Sequence, residues 1–507
     1  MAYNTVLYLF IFLPAVLILY GIAPQKIRWG VLLFAGYVFY WIVSGWLIVY
    51  ILGTTIFTYC VGIFIEKLEK KYKKRVLVLG VLSLLAVLLY LKYYNFFAEN
   101  MNALIDAVCG VHVLDIKEIV LPIGISFYTL LAISYMADVY WGKREALHNP
   151  LKLALLLCFF PQIMEGPISI YSKTENTLWE GRPVKASNLS DGCVRIFWGL
   201  FKKMIIADRL YVPVQVIFES YTDYSGVSVA VAAIAYTVQL YMEFSGCMDI
   251  VIGSAKLFGI TLPENFKQPF ASKNAAEFWR RWHITLGVWF KTYVFYPVSL
   301  SSVVKKWNRF GRKHLNKHIT KIGVSALALF PVWFFNGLWH GPRWSYIFYG
   351  MYYFIILLGS IIVEPLRNKV LKACHINENV FWFKSLRIIK TWIIIFTGEL
   401  FFRANGLRAG IHMFLSIFKN FEIRDLWNGT FLELGLDKAD YIIIFVGCVV
   451  VAIVGIIKER NILTDIGLCR LSTPVRWVIY YALIMAVVIF GAYGVGYQQV
   501  DLIYAGF

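Results

Sequence analysis

Apolar residues come in long runs separated by short polar stretches. Thr5–Ile22, Trp29–Leu47, Val76–Tyr94, Val227–Tyr241, Ile322–Phe335, Ile388–Phe402, Tyr441–Ile457 and Trp477–Tyr493 are the clearest. About 20 apolar residues carry one helix across a bilayer, and in hydrocarbon a helix satisfies its own backbone. The pattern therefore predicts an all-α polytopic membrane protein of roughly 10–12 transmembrane helices, counting shorter and interrupted segments. The first run reads as a retained helix, not a cleaved signal. No internal repeat or linker divides the chain, so a single membrane domain over residues 1–507 is expected. The segment Glu99–Glu118 is less hydrophobic and, by the charge count below, extracytoplasmic. Leu189–Glu219 is amphipathic and predicts a helix lying partly in the interface.

Composition agrees. The 507 residues are 59% hydrophobic, 17% aromatic and 16% charged, with a mean hydropathy of +0.65. The net charge of +19 would point to nucleic acid in a soluble protein. Here the basic residues fill short loops, so lipid is the predicted partner and nucleic acid is not. The loop Glu66–Arg75 (EKLEKKYKKR) predicts a cytoplasmic position, and counting spans from it puts Lys26, Arg28, Lys143 and Arg144 on the same side. A second basic stretch carries Lys305, Lys306, Arg309, Arg312, Lys313, Lys317 and Lys321 without an acid. It suits an anchor at anionic lipid or the attraction of a phosphorylated cytosolic ligand. The eight cysteines are scattered, mostly in or beside apolar segments. They read as packing residues, with neither a disulfide framework nor a metal site.

Ionisable and polar groups inside apolar segments are the candidates for chemistry, because hydrocarbon makes them costly. His112, His148, His314, His318, His375 and His412 lie in loops or at segment ends and read as solvated. His283 and His340 sit among tryptophans. Each suits a general base acting on a hydroxyl, or an aromatic-belt histidine bonded to a carbonyl. In SKNAAEFWRRWHITL, Ser272 or Asn274 caps a helix on which Glu277/Arg281 and Trp279/His283 would share faces. Gln162, Glu165, Gln239, Glu243, Ser245, Asp249 and Asn336 are also placed in spans. The run Gln239–Asp249 (QLYMEFSGCMD) lines a polar cavity or ties helices together by hydrogen bonds. The chain has no GxSxG elbow, P-loop or GxGxxG, and neither histidine is followed five residues on by aspartate.

Several stretches in order resemble the membrane-bound O-acyltransferase (MBOAT) family, in its bacterial alginate O-acetylation and teichoic-acid D-alanylation branch. They are Leu121–Tyr140, Phe159–Ile168, Gly199–Leu210, Glu243–Gly253, Glu264–Pro297, Asn336–Gly341 (NGLWHG) and Phe401–Ala404 (FFRA). The resemblance thus covers a core of about 121–404. Glu243 stands where the family usually has Asp, Glu165 where alanine is common, and YPVSLSSVV where a glycine-rich segment is frequent. The resemblance implies a ring of tilted helices around a central funnel or tunnel, in a bacterial cytoplasmic membrane. His340 would lie at the constriction as base, with His283 supporting it. Trp339, a second tryptophan at Trp344 and Gly341 would form a water-poor collar, and Asn336, on the same helical face, would fix the ring tautomer. Trp282, Glu243, Ser245, Asp249 and Gln162 would line the passage. Arg280 and Arg281 would bind the donor or, on the bland reading, pair with Glu277. The implied donor is acetyl-CoA or a carrier-protein thioester, with no bound cofactor and no metal. The acceptor would be an exported polysaccharide, reached with the help of a separate SGNH-type extracytoplasmic esterase or transferase. D-alanyl transfer to teichoic acid is the alternative within the class; a transporter or flippase of envelope precursors is the alternative outside it.

Overall fold

The computed structural model describes residues 1–110, 113–170, 177–459 and 472–493. His112 and Cys469 fall outside these. All regular elements among the described residues are helical.

The chain begins α1 (Leu13–Ile22), α2 (Arg28–Ser44), α3 (Ile48–Lys67), α4 (Lys70–Cys109), α5 (Ile125–Tyr140) and α6 (Pro150–Cys158). It continues with α7 (Ala186–Leu200), α8 (Asp208–Glu219), α9 (Gly226–Leu257), α10 (Ala275–Arg281), α11 (Ile284–Phe290) and α12 (Ser302–His314). Then come α13 (Lys317–His340), α14 (Trp344–Ile362), α15 (Glu364–Ala373), α16 (Phe381–Arg403), α17 (Leu407–Lys419), α18 (Lys438–Glu459) and α19 (Thr473–Phe490). Among the described residues, 7 helices are long and apolar enough to cross a membrane. One of these is the run Gln25–Lys67, which is α2 and α3 joined through the short turn Gly45–Leu47. Shorter apolar helices cover Leu7–Ile22 and Ile125–Tyr140. The chain is a multi-pass, all-α membrane protein.

Helix α4 continues to Cys109, so the first part of the less hydrophobic segment Glu99–Glu118 forms the last turns of one helix. Its 40 residues reach roughly 60 Å, about twice the hydrocarbon thickness. Lys70–Arg75 at one end and Asn95–Asp106 at the other are its more polar parts.

Contacts divide the described chain into two compact units. One comprises Met1–Ile196 and Cys247–Glu264, the other Phe197–Gly246 with 265–493, and the boundary in α9 falls between Gly246 and Cys247. In the first unit α5 is buried along nearly its whole length. Tyr3 donates to Phe160 O at 2.9 Å. Glu66, Lys73, Lys143 and Arg144 line one open cavity of about 730 Å³, and Glu66 accepts from the Ala146 amide at 3.0 Å. Arg28 donates to Gly181 O at 3.2 Å, two residues from Trp179, which lines the same cavity. The three basic loops that the charge count put on one side thus gather at one end of this unit.

Burial corrects the reading of the cysteines. Cys158 and Cys247 are buried, but Cys60, Cys109, Cys193 and Cys374 are exposed. An apolar span turns part of its surface to lipid, so lying in such a span does not make a residue interior.

Candidate active site

The site grows from a helical hairpin in the second unit. Asn316 caps α13, accepting from the Ile319 amide at 2.8 Å, and the helix runs to His340. Gly341 and Pro342 end it, and α14 starts at Trp344. The two helices touch backbone to backbone. A Cβ on Gly337 would stand 2.4 Å from Tyr346 O, and one on Gly350 would stand 2.2 Å from Trp333 O. That approach folds Tyr346 and Tyr349 back onto the end of α13.

His340 is 5% exposed, inside an aromatic cage. Ring centroids lie 5.0 Å away at Trp339, 5.8 Å at Tyr349 and 4.9 Å at Phe402 of α16, with Tyr346 at 6.3 Å. The expected collar needs two corrections. Trp344 is 54% exposed, so Tyr349 and Phe402 take the place given to the second tryptophan. Asn336 is buried, yet its Oδ1 has no hydrogen-bond partner. Residues four apart on a helix have Cβ atoms about 5–6 Å apart, and the short asparagine side chain shares the face of His340 without bonding its ring.

His283 is held differently. Asn274, rather than Ser272, caps α10 by accepting from the Glu277 amide at 2.8 Å. Glu277 in turn accepts from the amide of Lys273, the residue before the cap, at 3.0 Å, so its side chain ties down the chain entering the helix. Helix α10 then stops at Arg281, and His283 adopts a left-handed conformation, φ 45° and ψ 51°. Such a backbone costs a non-glycine residue about 1–3 kcal/mol. Asn265 fixes it. Its carbonyl accepts from the Ile284 amide at 2.9 Å, and its Oδ1 accepts from the Thr285 amide at 3.1 Å and the Thr285 hydroxyl at 2.9 Å. An amide N–H can only donate, so the group facing Thr285 is the oxygen of Asn265. The same Oδ1 lies 3.2 Å from His283 Nδ1, so in the neutral ring Nδ1 carries the proton and Nε2 the lone pair. The break at His283 also separates it from Trp279, whose face it was expected to share; Trp279 packs on Trp333 and Tyr353 at 5.0 and 4.7 Å. His283 instead meets Phe244 at 4.9 Å and Trp339 at 5.6 Å. One indole therefore touches both imidazoles.

The other candidates divide by surroundings. Trp282 is buried, stacked on Phe278 at 5.3 Å and edge-on to Phe266 at 5.1 Å. Arg281 bonds both oxygens of Glu459 at 2.9 Å and Glu277 at 3.0 Å, so its ion-pair reading holds. Arg280 is exposed. Glu243 and Ser245 face two lysines: Lys203 lies 3.4 Å from Glu243 and 2.6 Å from Asp208, and Lys202 donates to Ser245 at 2.9 Å. Both lysines are buried, on the π-helical turn Phe201–Ala207. The amphipathic segment expected at the interface thus turns two of its cations inward, where carboxylates offset the desolvation of Lys203. Asp249 and Gln162 belong to the first unit and have partners there. Arg195 bonds Asp249 at 2.6 Å and Glu264 at 2.6–2.8 Å, and Ser169 donates to Gln162 at 3.3 Å. Among the described residues no group of three or more His, Cys, Asp or Glu is placed to hold a metal ion.

Sequence reasoning missed Glu399. It is fully buried on α16, and Tyr349 donates to its Oε1 at 2.9 Å. The available signal was a carboxylate inside the apolar run Ile388–Phe402.

Residues 9–391 match the model of MBOAT, the membrane-bound O-acyltransferase family. A probable alginate O-acetylase of Pseudomonas aeruginosa is 32% identical over 423 residues, covering 82% of this chain and 75% of that protein. A peptidoglycan O-acetyltransferase of Helicobacter pylori is 29% identical, covering 81% of this chain and 78% of its own length. A teichoic acid D-alanyltransferase of Bacillus subtilis is 29% identical over 55% of this chain and 68% of its own. These matches set aside the transporter reading, and the chain belongs to the membrane-bound O-acyltransferase family.

Proposed function

We propose that this acyltransferase moves an acetyl group from cytosolic acetyl-CoA toward a hydroxyl of an exported polysaccharide, in a bacterial cytoplasmic membrane. The observation that carries the reading is the pair of buried imidazoles, His340 and His283, both packed on Trp339. His340 takes the proton of the acceptor hydroxyl as its oxygen attacks the thioester carbonyl. The C–O bond forms, the C–S bond breaks, and the same proton passes to the departing sulfur. His283, its tautomer set by Asn265, supports that centre. Excluding water behind Trp339, Tyr349 and Phe402 keeps the thioester from hydrolysis. Exposed Arg280 and the basic residues of α12 suit the donor phosphates, whereas Arg281 serves the fold. The first acceptor is a serine of a separate SGNH-type extracytoplasmic protein, which hands the acetyl group to the sugar.

Acetyl is favoured over D-alanyl because the two O-acetylating relatives match more than four-fifths of this chain and the D-alanylating one 55%. Purified enzyme in lipid nanodiscs, offered radiolabelled acetyl-CoA or a D-alanyl carrier-protein thioester, decides between them. Release of coenzyme A with acetyl transfer is expected. Consumption of the D-alanyl thioester alone would overturn the choice of donor.

A further inference from the structure

We infer that Glu399 is a positioning residue for acyl transfer, acting through Tyr349 on the imidazole of His340; this rests on the role proposed for His340 above. Glu399 is 0% and Tyr349 2% exposed, and the phenol donates to Glu399 Oε1 at 2.9 Å. The ring of Tyr349 meets His340 edge-to-face, centroids 5.8 Å apart at 86°. Phe402, three residues after Glu399 and so on the same side of α16, closes on His340 at 4.9 Å and on Tyr349 at 5.0 Å. One face of α16 thus supplies both a wall of the cage and the acceptor that orients another wall.

Helix α16 packs closely on α14 at this point. A Cβ on Gly398 would stand 2.4 Å from Tyr353 Oη, one turn beyond Tyr349 on α14. The neighbouring Glu399 lies within bonding distance of the Tyr349 phenol. Burying a carboxyl away from water is costly, and the Oε2 of Glu399 has no hydrogen-bond partner. An apolar residue would fill the space at less cost, and the carboxyl's defined contact is with Tyr349. Tying the hydroxyl holds the far end of the phenol and so the position of the ring, and that ring packs on His340. A base displaced by about 1 Å loses on the order of 10²-fold in rate.

The test compares reconstituted wild-type enzyme with E399A, E399Q, Y349F, the double variant Y349F/E399A and H340A, reading kcat and KM for acetyl-CoA per folded molecule. E399A and Y349F are expected to lower kcat roughly 10- to 100-fold with KM within about twofold. E399Q, whose amide oxygen still accepts from the phenol, should recover most of the rate. The double variant should fall no further than the worse single one. If E399A does not accumulate, Y349F, which keeps the ring, decides. Wild-type kcat in Y349F or E399A beside an inactive H340A would overturn the inference and leave the role of His340 standing, as would a loss of folded protein with kcat unchanged. Full activity in H340A would remove the role of His340 itself.

Discussion

His283 and His340 pack on the same indole, at 5.6 and 5.0 Å, yet different forces hold them. His283 sits outside any helix, in a left-handed conformation, and directed bonds from Asn265 fix its backbone and its tautomer. His340 ends a 24-residue helix and is held by four aromatic rings that three helices carry to it. The first arrangement depends on one residue, Asn265. The second depends on how closely the helix backbones meet, since the rings reach His340 only while α13, α14 and α16 stay in contact. One site fails by losing a bond, the other by a helix moving.

That contrast can be broken at either end. The larger effect is expected from Gly337→Ala, whose added carbon would lie 2.4 Å from a backbone oxygen and has no flexible neighbour to displace. Overpacking of this kind costs about 1–3 kcal/mol and occasionally more. Thermal midpoint in detergent and acetyl transfer should therefore fall together, and an unchanged midpoint would show that the close crossing is not what builds the cage. A smaller effect is expected from Asn265→Ala, which leaves the Thr285 amide and His283 Nδ1–H buried without their acceptor. The stability cost is about 1–3 kcal/mol for a buried polar group left unsatisfied. Transfer per folded molecule should drop roughly tenfold through loss of ring orientation. A transfer rate per folded molecule equal to wild type would mean that the orientation of His283 does not matter to catalysis.

Features set by local pattern were legible in the sequence. Most of the long apolar runs fall in helices able to cross a membrane, Ile388–Phe402 excepted and Thr5–Ile22 in a shorter apolar helix, and the spacing of Glu277 and Arg281 gave their ion pair. His340 closes an apolar run just before a glycine and a proline, and in the structure it is the last residue of α13. The break at His283 was not legible, because Trp282-His283-Ile284 contains no glycine or proline and its left-handed turn is imposed by Asn265, 18 residues earlier. Nor was the burial of Lys202 and Lys203, which depends on Glu243 and Ser245 some forty residues on. Glu399 acquires its meaning from Tyr349, 50 residues away. Pairings across such distances are set by which helices pack together, and no local period records them.

The central claim is that the caged imidazole of His340 does the proton transfer. The most direct measurement is turnover of radiolabelled acetyl-CoA by reconstituted His340→Gln against wild type, at equal amounts of folded protein. A positioned acid–base group contributes about 10²–10⁴-fold, and a rate reduced by that factor, with the thermal midpoint retained, is the predicted result. Transfer at the wild-type rate would contradict it.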